Sequence, residues 1–379
     1  MLDSIRPARS SDLEALLSLE AASFSGDRLS RRSFRRWLKH EHCVFLVAED
    51  ANALLAYVLV ILRRGTRLAR LYSIAVNPVA RGRGLAKALL QQAERTARGN
   101  GALYMRLEVA TGNTAGIALY EGMGYRPFGL YRDYYDDHGD AIRMEKCIHA
   151  YSKAESSRSI PWFPQSTAFT CGPASLMMGL AALDGSYTPD HAEEIQIWRE
   201  ATTIFMTSGH GGCHPLGLAL AAARRGYGAE VIVNQVGPLF LEGVRDSNKK
   251  RVMTLVHEGF VAEAQTLGVT TSYRGLDQQE LIDEFNAGAS VLVLISTYRL
   301  DRKKAPHWVV LSGSDERCLF LQDPAYEIDL EHESGAESLN ALDYQHLPIA
   351  REDFAAMSRF GGTRLQAAVI LKRKARKSA

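Results

Sequence analysis

Between residues 43 and 76 the chain alternates apolar runs with short polar breaks. Residues 43–48 and 54–62 read as two strands joined by a turn at Asp50–Asn52, and 71–76 as a third strand stopped by Asn77–Pro78. The period then changes. Leu85, Ala86, Leu89, Leu90, Ala93 and Ala97 mark one face of a helix over 85–98, which Gly99–Asn100–Gly101 ends. Residues 103–109 alternate, with Leu103, Met105, Leu107 and Val109 on one side and Tyr104, Arg106 and Glu108 on the other. A further helix follows over about 114–122. The β-β-β-α-β-α order predicts an α/β unit. After a polar, Ser-rich stretch at 149–160, an apolar helix is predicted over 174–183 with Pro173 at its start, a second helix over 216–225, and strands at 290–296, 307–313 and 318–321.

The length of 379 residues allows two or three domains, and 46% apolar with 23% charged residues is the balance of an ordinary globular protein. The longest apolar run, 53–62, is about half the length of a membrane-spanning helix, and the start MLDSIRPARS has no apolar signal region, so neither a membrane nor secretion is expected. Five scattered cysteines, odd in number and without a CxxC pair, argue against a disulfide framework or zinc ribbon and for a reducing cytoplasm. The first 150 residues carry 22 basic and 16 acidic side chains and the remainder 23 and 27, which separates two units without making either basic enough to imply nucleic acid. The expected organisation is a front domain at 1–148, a linker at 149–160, a back domain at 161–372 and a basic tail at 373–379. Oligomeric state is not legible.

The junction Arg81-Gly82-Arg83-Gly84-Leu85-Ala86 lies between the third strand and its helix. Glycines there admit a ligand close to the backbone, and the first helical amides, aided by the helix dipole and the arginines, suit a phosphate or pyrophosphate. No Gly-Lys-Ser/Thr follows, which excludes a Walker loop, and the pattern fits a dinucleotide fingerprint poorly. Together, LYSIAVNPVARGRGLAKALLQQAE, LYMRLEVATGNTAGIALYEGMGYRPFG and YRDYYDDHGDAIRMEK resemble the GNAT acetyltransferases, and among them the ribosomal-protein-alanine N-acetyltransferases, over about residues 3–148. The resemblance implies a mixed sheet with flanking helices and acetyl-CoA as cofactor. It implies that the amides of Arg81, Gly82, Arg83, Gly84, Leu85 and Ala86 hold the pyrophosphate. Backbone groups of Ile74, Ala75 and Val76 would pair with the pantetheine arm, and Asn113 would hydrogen-bond the cofactor. Glu108 would then be the general base and Tyr120 the acid for the leaving thiolate, with Tyr134 and Tyr135 as fallbacks. A carboxylate base suits this chemistry, because an α-amine with a pKa near 8 is mostly protonated at neutral pH. The stretch 25–39, with Arg28, Arg31, Arg32, Arg35, Arg36 and Lys39, departs from that subfamily and suits an acidic acceptor.

In the back half, PWFPQSTAFTCGPASLMMG puts Cys171 at a helix start, where dipole and free amides favour a thiolate. His307 opens a strand 136 residues later, within the Cys-to-His spacing of papain-like enzymes. The predicted hairpin brings Asp323 to the same end, where it can orient the imidazole, and Gln165 can offer its side-chain amide to an oxyanion. Gln165, Cys171-Gly172-Pro173-Ala174, His307-Trp308 and Asp323-Pro324 resemble the C39 cysteine peptidases, papain-like domains of α+β fold that cut leader peptides after paired small residues. The cluster His210-Gly211-Gly212-Cys213-His214 has soft ligands but no evident fourth one, and reads as a Gly-rich loop entering a helix rather than a metal site. His257 reads as structural. The whole predicts a bifunctional chain: an N-acetyltransferase and a cysteine peptidase acting on a peptide or protein. The alternatives are a peptide-binding back domain without turnover, or a small-molecule acetyltransferase with a regulatory back domain.

Overall fold

The computed structural model describes residues 4–24, 26–50, 53–135, 137–149, 156–203, 205–206, 209–242, 244–303, 305–325 and 341–374. The chain divides into two compact units between Ser152 and Lys153. Half of the expected linker (150–155), part of the turn at Asp50–Asn52 and the tail beyond Lys374 lie outside the described residues.

The first unit runs β1 (Ser4–Pro7), α1 (Leu13–Ser23), α2 (Arg31–Trp37), β2 (Cys43–Glu49), β3 (Leu54–Leu62), β4 (Leu68–Val76), α3 (Leu85–Gly99), β5 (Tyr104–Ala110), α4 (Thr114–Gly122), β6 (Arg126–Tyr131) and β7 (Ala141–Cys147). Its sheet has the order β1-β2-β3-β4-β5-β7-β6, and only β4 and β5 run parallel. Alternation sorts the two faces. Val44, Leu46 and Ala48 of β2 join the core that α3 closes with Leu85, Leu89, Leu90 and Ala93. Phe45 and Val47 point the other way, among Leu16, Leu19, Phe34 and Trp37 of α1 and α2. The third strand starts three residues earlier than its pattern predicts. The strands β1, β6 and β7 and the helix α1 carried no pattern of their own. In β6 the reason is physical: it is an edge strand, exposed from Arg126 to Leu130, so neither face must be apolar.

The second unit contains β8 (Ser156–Ser157), α5 (Cys171–Leu183), α6 (His191–Ala201), β9 (Phe205–Met206), β10 (Gly209–His210), α7 (Pro215–Arg224), β11 (Tyr227–Val233), α8 (Ser247–Leu267), β12 (Thr270–Tyr273), α9 (Gln278–Asn286), β13 (Ser290–Ser296), α10 (Tyr298–Asp301), β14 (Pro306–Ser314), β15 (Cys318–Gln322), β16 (Leu347–Ala350), α11 (Arg351–Met357) and β17 (Ala367–Arg373). The sheet order is β12-β11-β17-β13-β14-β15-β16, with β8 added to β14. Strands β9 and β10 form a separate ribbon. Helix α5 packs on β13, β14 and β17. It is apolar all round because all but one of its residues are buried. The predicted second helix spans Pro215–Arg224, one residue earlier at each end.

Candidate functional site

In the first unit the site is made by a strand that leaves its neighbour. Opposite Leu59 and Val60 of β3 stand Ser73 and Leu71 of β4, so Tyr72 is an extra residue, a bulge that bends the strand. The parallel pairing of β4 with β5 covers only Leu68–Arg70 against Tyr104–Arg106. Beyond it β4 keeps β3 on one edge, with Val58, Tyr57 and Ala56 facing Ile74, Ala75 and Val76, while among the described residues no strand pairs with the other edge. At the end of β4 comes the glycine junction. Gly82 has φ +78° and Gly84, the residue before α3, has φ +80°, a region that side chains disfavour. A Cβ at either would meet nothing within 4 Å, so both face open space. No side chain caps α3, and its first amides have no partner within the helix. An open ladder edge leading to uncapped amides fits an elongated ligand with an anionic end. Asn113 caps α4 by accepting from the Gly116 amide at 2.9 Å, which leaves its NH₂ group.

Glu108 and Tyr120 belong to one neighbourhood, and Tyr135 links them. Its phenol is pushed up by burial and by the fields of Tyr134, Glu108, Tyr120 and Asp27. Tyr120 is buried, its ring 5.8 Å from that of Tyr125, and burial pushes its phenol up to about 12. It therefore keeps its proton at neutral pH, as an acid must. Glu108 is not the solvated strand residue that alternation alone suggests. Its side chain is 6% exposed and its Oε2 accepts from Arg70 Nε at 3.0 Å and Nη2 at 2.9 Å. Arg70 also donates to Tyr134 Oη at 2.9 Å. Arg70 and Asp27 were not assigned from the sequence, and Tyr134 and Tyr135 entered there only as fallbacks for the proton transfers. Arg70 stands opposite Arg106 across the parallel ladder, one pleat from Glu108 on the same face, and only pairing of β4 with β5 reveals that. In the basic stretch, Arg31 pairs with Glu14.

In the second unit the register builds the site. Val310 faces Gln322, so Asp323 falls opposite Val309, on the same face as His307 and one pleat away. The His307 Nε2 lies 2.7 Å from Asp323 Oδ1, and both are buried. The other ring nitrogen, Nδ1, is left for Cys171, the first residue of α5, whose thiol is bonded to His307. Burial opposes the thiolate, but the bond and charge of His307, with the Trp308 and Gly172 amides, outweigh it and lower the thiol. Burial likewise opposes the imidazolium, and Asp323 and Cys171 outweigh it, raising His307 to about 10. The site is a buried thiol–imidazole–carboxylate line whose shifts bias the proton from the sulfur toward the ring. Gly172 lets the wall come close: a Cβ there would stand 2.9 Å from Cys213 Cβ and 3.2 Å from Trp308 Cδ1.

Gln165 is tied beside Asp323. Its amide N donates to Pro324 O at 2.9 Å, and Trp162 Nε1 donates to Asp323 O at 2.7 Å. One side-chain N–H of Gln165 goes to Thr167 O at 2.8 Å. Of the His/Cys cluster, the His210 side chain lies outside the described residues. Cys213 is buried, and His214 is spent inside: Nδ1 accepts from the Leu216 amide at 3.0 Å and Nε2 meets His257 Nδ1 at 3.2 Å. Among the described residues no group of three or more His, Cys, Asp or Glu side chains could hold a metal ion, and no helix is long and apolar enough to cross a membrane.

Residues 13–125 match the Acetyltransferase (GNAT) family and residues 160–372 the Peptidase_C39 like family. The N-alpha-acetyltransferase RimI of Mycobacterium tuberculosis is 34% identical over 144 residues, 36% of this chain and 86% of that one. The chain belongs to both families. The same stretch is 34% identical to the uncharacterized protein ML0378 of Mycobacterium leprae, of which the chain spans only 38%. The ribosomal-protein-S18-alanine N-acetyltransferase structure from Escherichia coli is 26% identical, with a TM-score of 0.37 over 40% of this chain and 97% of that one. The GNAT unit uses acetyl-CoA, and the open edge of Ile74–Val76 with the Gly82–Ala86 amides is the part of this chain that fits it.

Proposed function

We propose that this chain carries two activities: acetyl transfer to the amine of a peptide or protein N-terminus, and thiol-dependent cleavage of a peptide bond. The cleavage reading is carried by the Cys171–His307–Asp323 line, whose shifts bias the proton from the sulfur toward the ring, as a cysteine peptidase needs. The Cys171 thiolate attacks the carbonyl carbon and pushes its electron pair onto oxygen. The second side-chain N–H of Gln165 would donate to that oxyanion. His307 gives its proton to the departing amine. It then takes one from water, which hydrolyses the thioester and frees Cys171. Asp323 holds the ring and supports its charge throughout.

In the GNAT unit the relatives named for N-terminal and ribosomal-protein-alanine acetylation support a peptide or protein acceptor. Acetyl-CoA supplies an activated acetyl thioester when bound. The Gly82–Ala86 amides would hold its pyrophosphate, the expected Arg81 amide being spent on Pro78 O at 3.4 Å, with the open edge of Ile74–Val76 for its pantetheine and the Asn113 NH₂ group for a polar atom beside them. Glu108, steadied by Arg70, takes the proton of the acceptor amine, directly or through a water. Tyr120 holds a proton on its phenol for the leaving sulfur. The fusion suggests a sequence in which cleavage exposes an amine that the GNAT unit caps. Five free cysteines suit a reducing compartment such as the cytoplasm. The test incubates the full chain with acetyl-CoA and a peptide library and scores acetyl mass gains and cleavage fragments. Cleavage that vanishes in Cys171→Ala while acetylation persists is expected; acetylation without any Cys171-dependent cleavage would leave the back unit a binding module.

A further inference from the structure

Glu194 is a carboxylate with 0% exposure on the first turn of α6. Burying one is costly unless it is bonded. One of its two bonds reaches the segment that carries Gln165, and the other goes to His191 of its own helix. Oε1 accepts from the backbone amide of Ser166 at 2.8 Å. Oε2 lies 2.9 Å from His191 Nδ1, and the His191 ring rests 4.9 Å from that of Phe163. The segment 162–166 is thus held from two sides. Trp162 and the Gln165 amide tie it to the Asp323–Pro324 backbone, and Glu194 ties the next residue to α6. The Gln165 Oε1 is buried and accepts from no group among the described residues, so the amide group is steered by its backbone and by one bond to Thr167.

We propose that Glu194 is a positioning residue of the thiol site: through the Ser166 amide it sets where the Gln165 side chain meets the oxyanion. The inference rests on the peptidase reading. Glu194 touches no reacting atom, and its effect is confined to steps in which a negative oxygen forms. A displacement of about 1 Å in such a group costs up to about 10²-fold. Direct alkylation of the thiol makes no oxyanion and is indifferent to it.

The test compares two reagents on the full chain. Iodoacetamide reports the Cys171 thiolate alone. Acetyl-glycyl-glycinal adds reversibly: a C–S bond forms between Cys171 Sγ and the aldehyde carbon, the carbonyl electron pair moves to oxygen, and the resulting oxyanion stands beside the His307 imidazolium, which keeps its proton. Its affinity is read from protection of Cys171 against iodoacetamide, followed by mass spectrometry. Glu194→Ala should weaken aldehyde binding by about 10- to 100-fold and leave the alkylation rate within about twofold of wild type. Glu194→Gln keeps an oxygen for the Ser166 amide and should restore binding. The double variant Gln165→Ala/Glu194→Ala should bind no worse than Gln165→Ala, because both remove one function. If Glu194→Ala does not fold, Glu194→Leu keeps the volume without the oxygens and carries the same expectation. Unchanged aldehyde binding in Glu194→Ala, no rescue by Gln, multiplicative losses in the double variant, or a parallel fall in alkylation each overturns the proposal. A wild-type chain whose Cys171 is not protected by the aldehyde overturns the peptidase reading itself, before any variant is made.

Discussion

The thiolate–imidazolium pair dictates an unusual pH profile for the alkylation of Cys171. An ordinary thiol with pKa about 8.5 is about a quarter ionised at pH 8 and about 0.3% ionised at pH 6, so its alkylation slows by roughly 80-fold between them. Cys171 is lowered by the bond and charge of His307 and by two backbone amides, against the pull of burial. His307 stays protonated up to about 10, because Asp323 stands 2.7 Å away. Because the thiol is lowered, the rate should fall between pH 8 and pH 6 by clearly less than that roughly 80-fold. It should rise above about pH 10, where the thiolate loses its cationic partner and becomes more nucleophilic. In His307→Ala only burial and the amides remain, so the fall with decreasing pH should steepen and the rate at pH 6 should drop below that of wild type. Asp323→Asn removes the group that raises His307, so the upper limb should move to lower pH while the acid side changes less. The assay is pulsed iodoacetamide labelling at each pH, with all five cysteines quantified by mass spectrometry; Cys43, which burial raises to about 11, is an internal standard. A wild-type profile that falls like an ordinary thiol, or a His307→Ala profile no steeper than that of wild type, refutes the ion pair.

Gly84→Val forces a branched side chain into φ +80° on the open side of the junction, and should weaken acetyl-CoA binding by tenfold or more by calorimetry on the full chain. Glu108→Gln should lower acetyl transfer by about 10²–10⁴-fold with acetyl-CoA affinity little changed, and Tyr120→Phe should lower turnover similarly; wild-type rates would move the proton transfers to Tyr134 or Tyr135. His214 is buried against His257 and lowered to about 3 in the folded chain, whereas the unfolded chain binds that proton near pH 6.5. Folding stability should therefore fall as pH drops from about 6.5 toward 3, by about 1.4 kcal/mol per pH unit from this site, and His214→Asn, which can still accept from the Leu216 amide, should flatten the fall in urea midpoints.

Much of the chemistry was legible in the sequence because it is local. The apolar period places α3, the glycines before it mark the loop, and Pro173 with an apolar run places Cys171 at a helix start. Spacing brought His307 and Asp323 within reach, because two strands and a short turn leave few registers. The bulge at Tyr72 that opens β4 from β5, the Arg70–Glu108 pair and the clasp of Glu194 on Ser166 join residues 38 and 28 positions apart in the latter two cases. Such pairs leave no periodic trace. Their partners are chosen by strand register and helix packing, which depend on the whole core closing. Residue types and their local order thus determined which reactions this chain can attempt. The tertiary structure alone decided which charges meet, because a carboxylate is a base, an ion-pair partner or a backbone anchor according to what the fold brings against it.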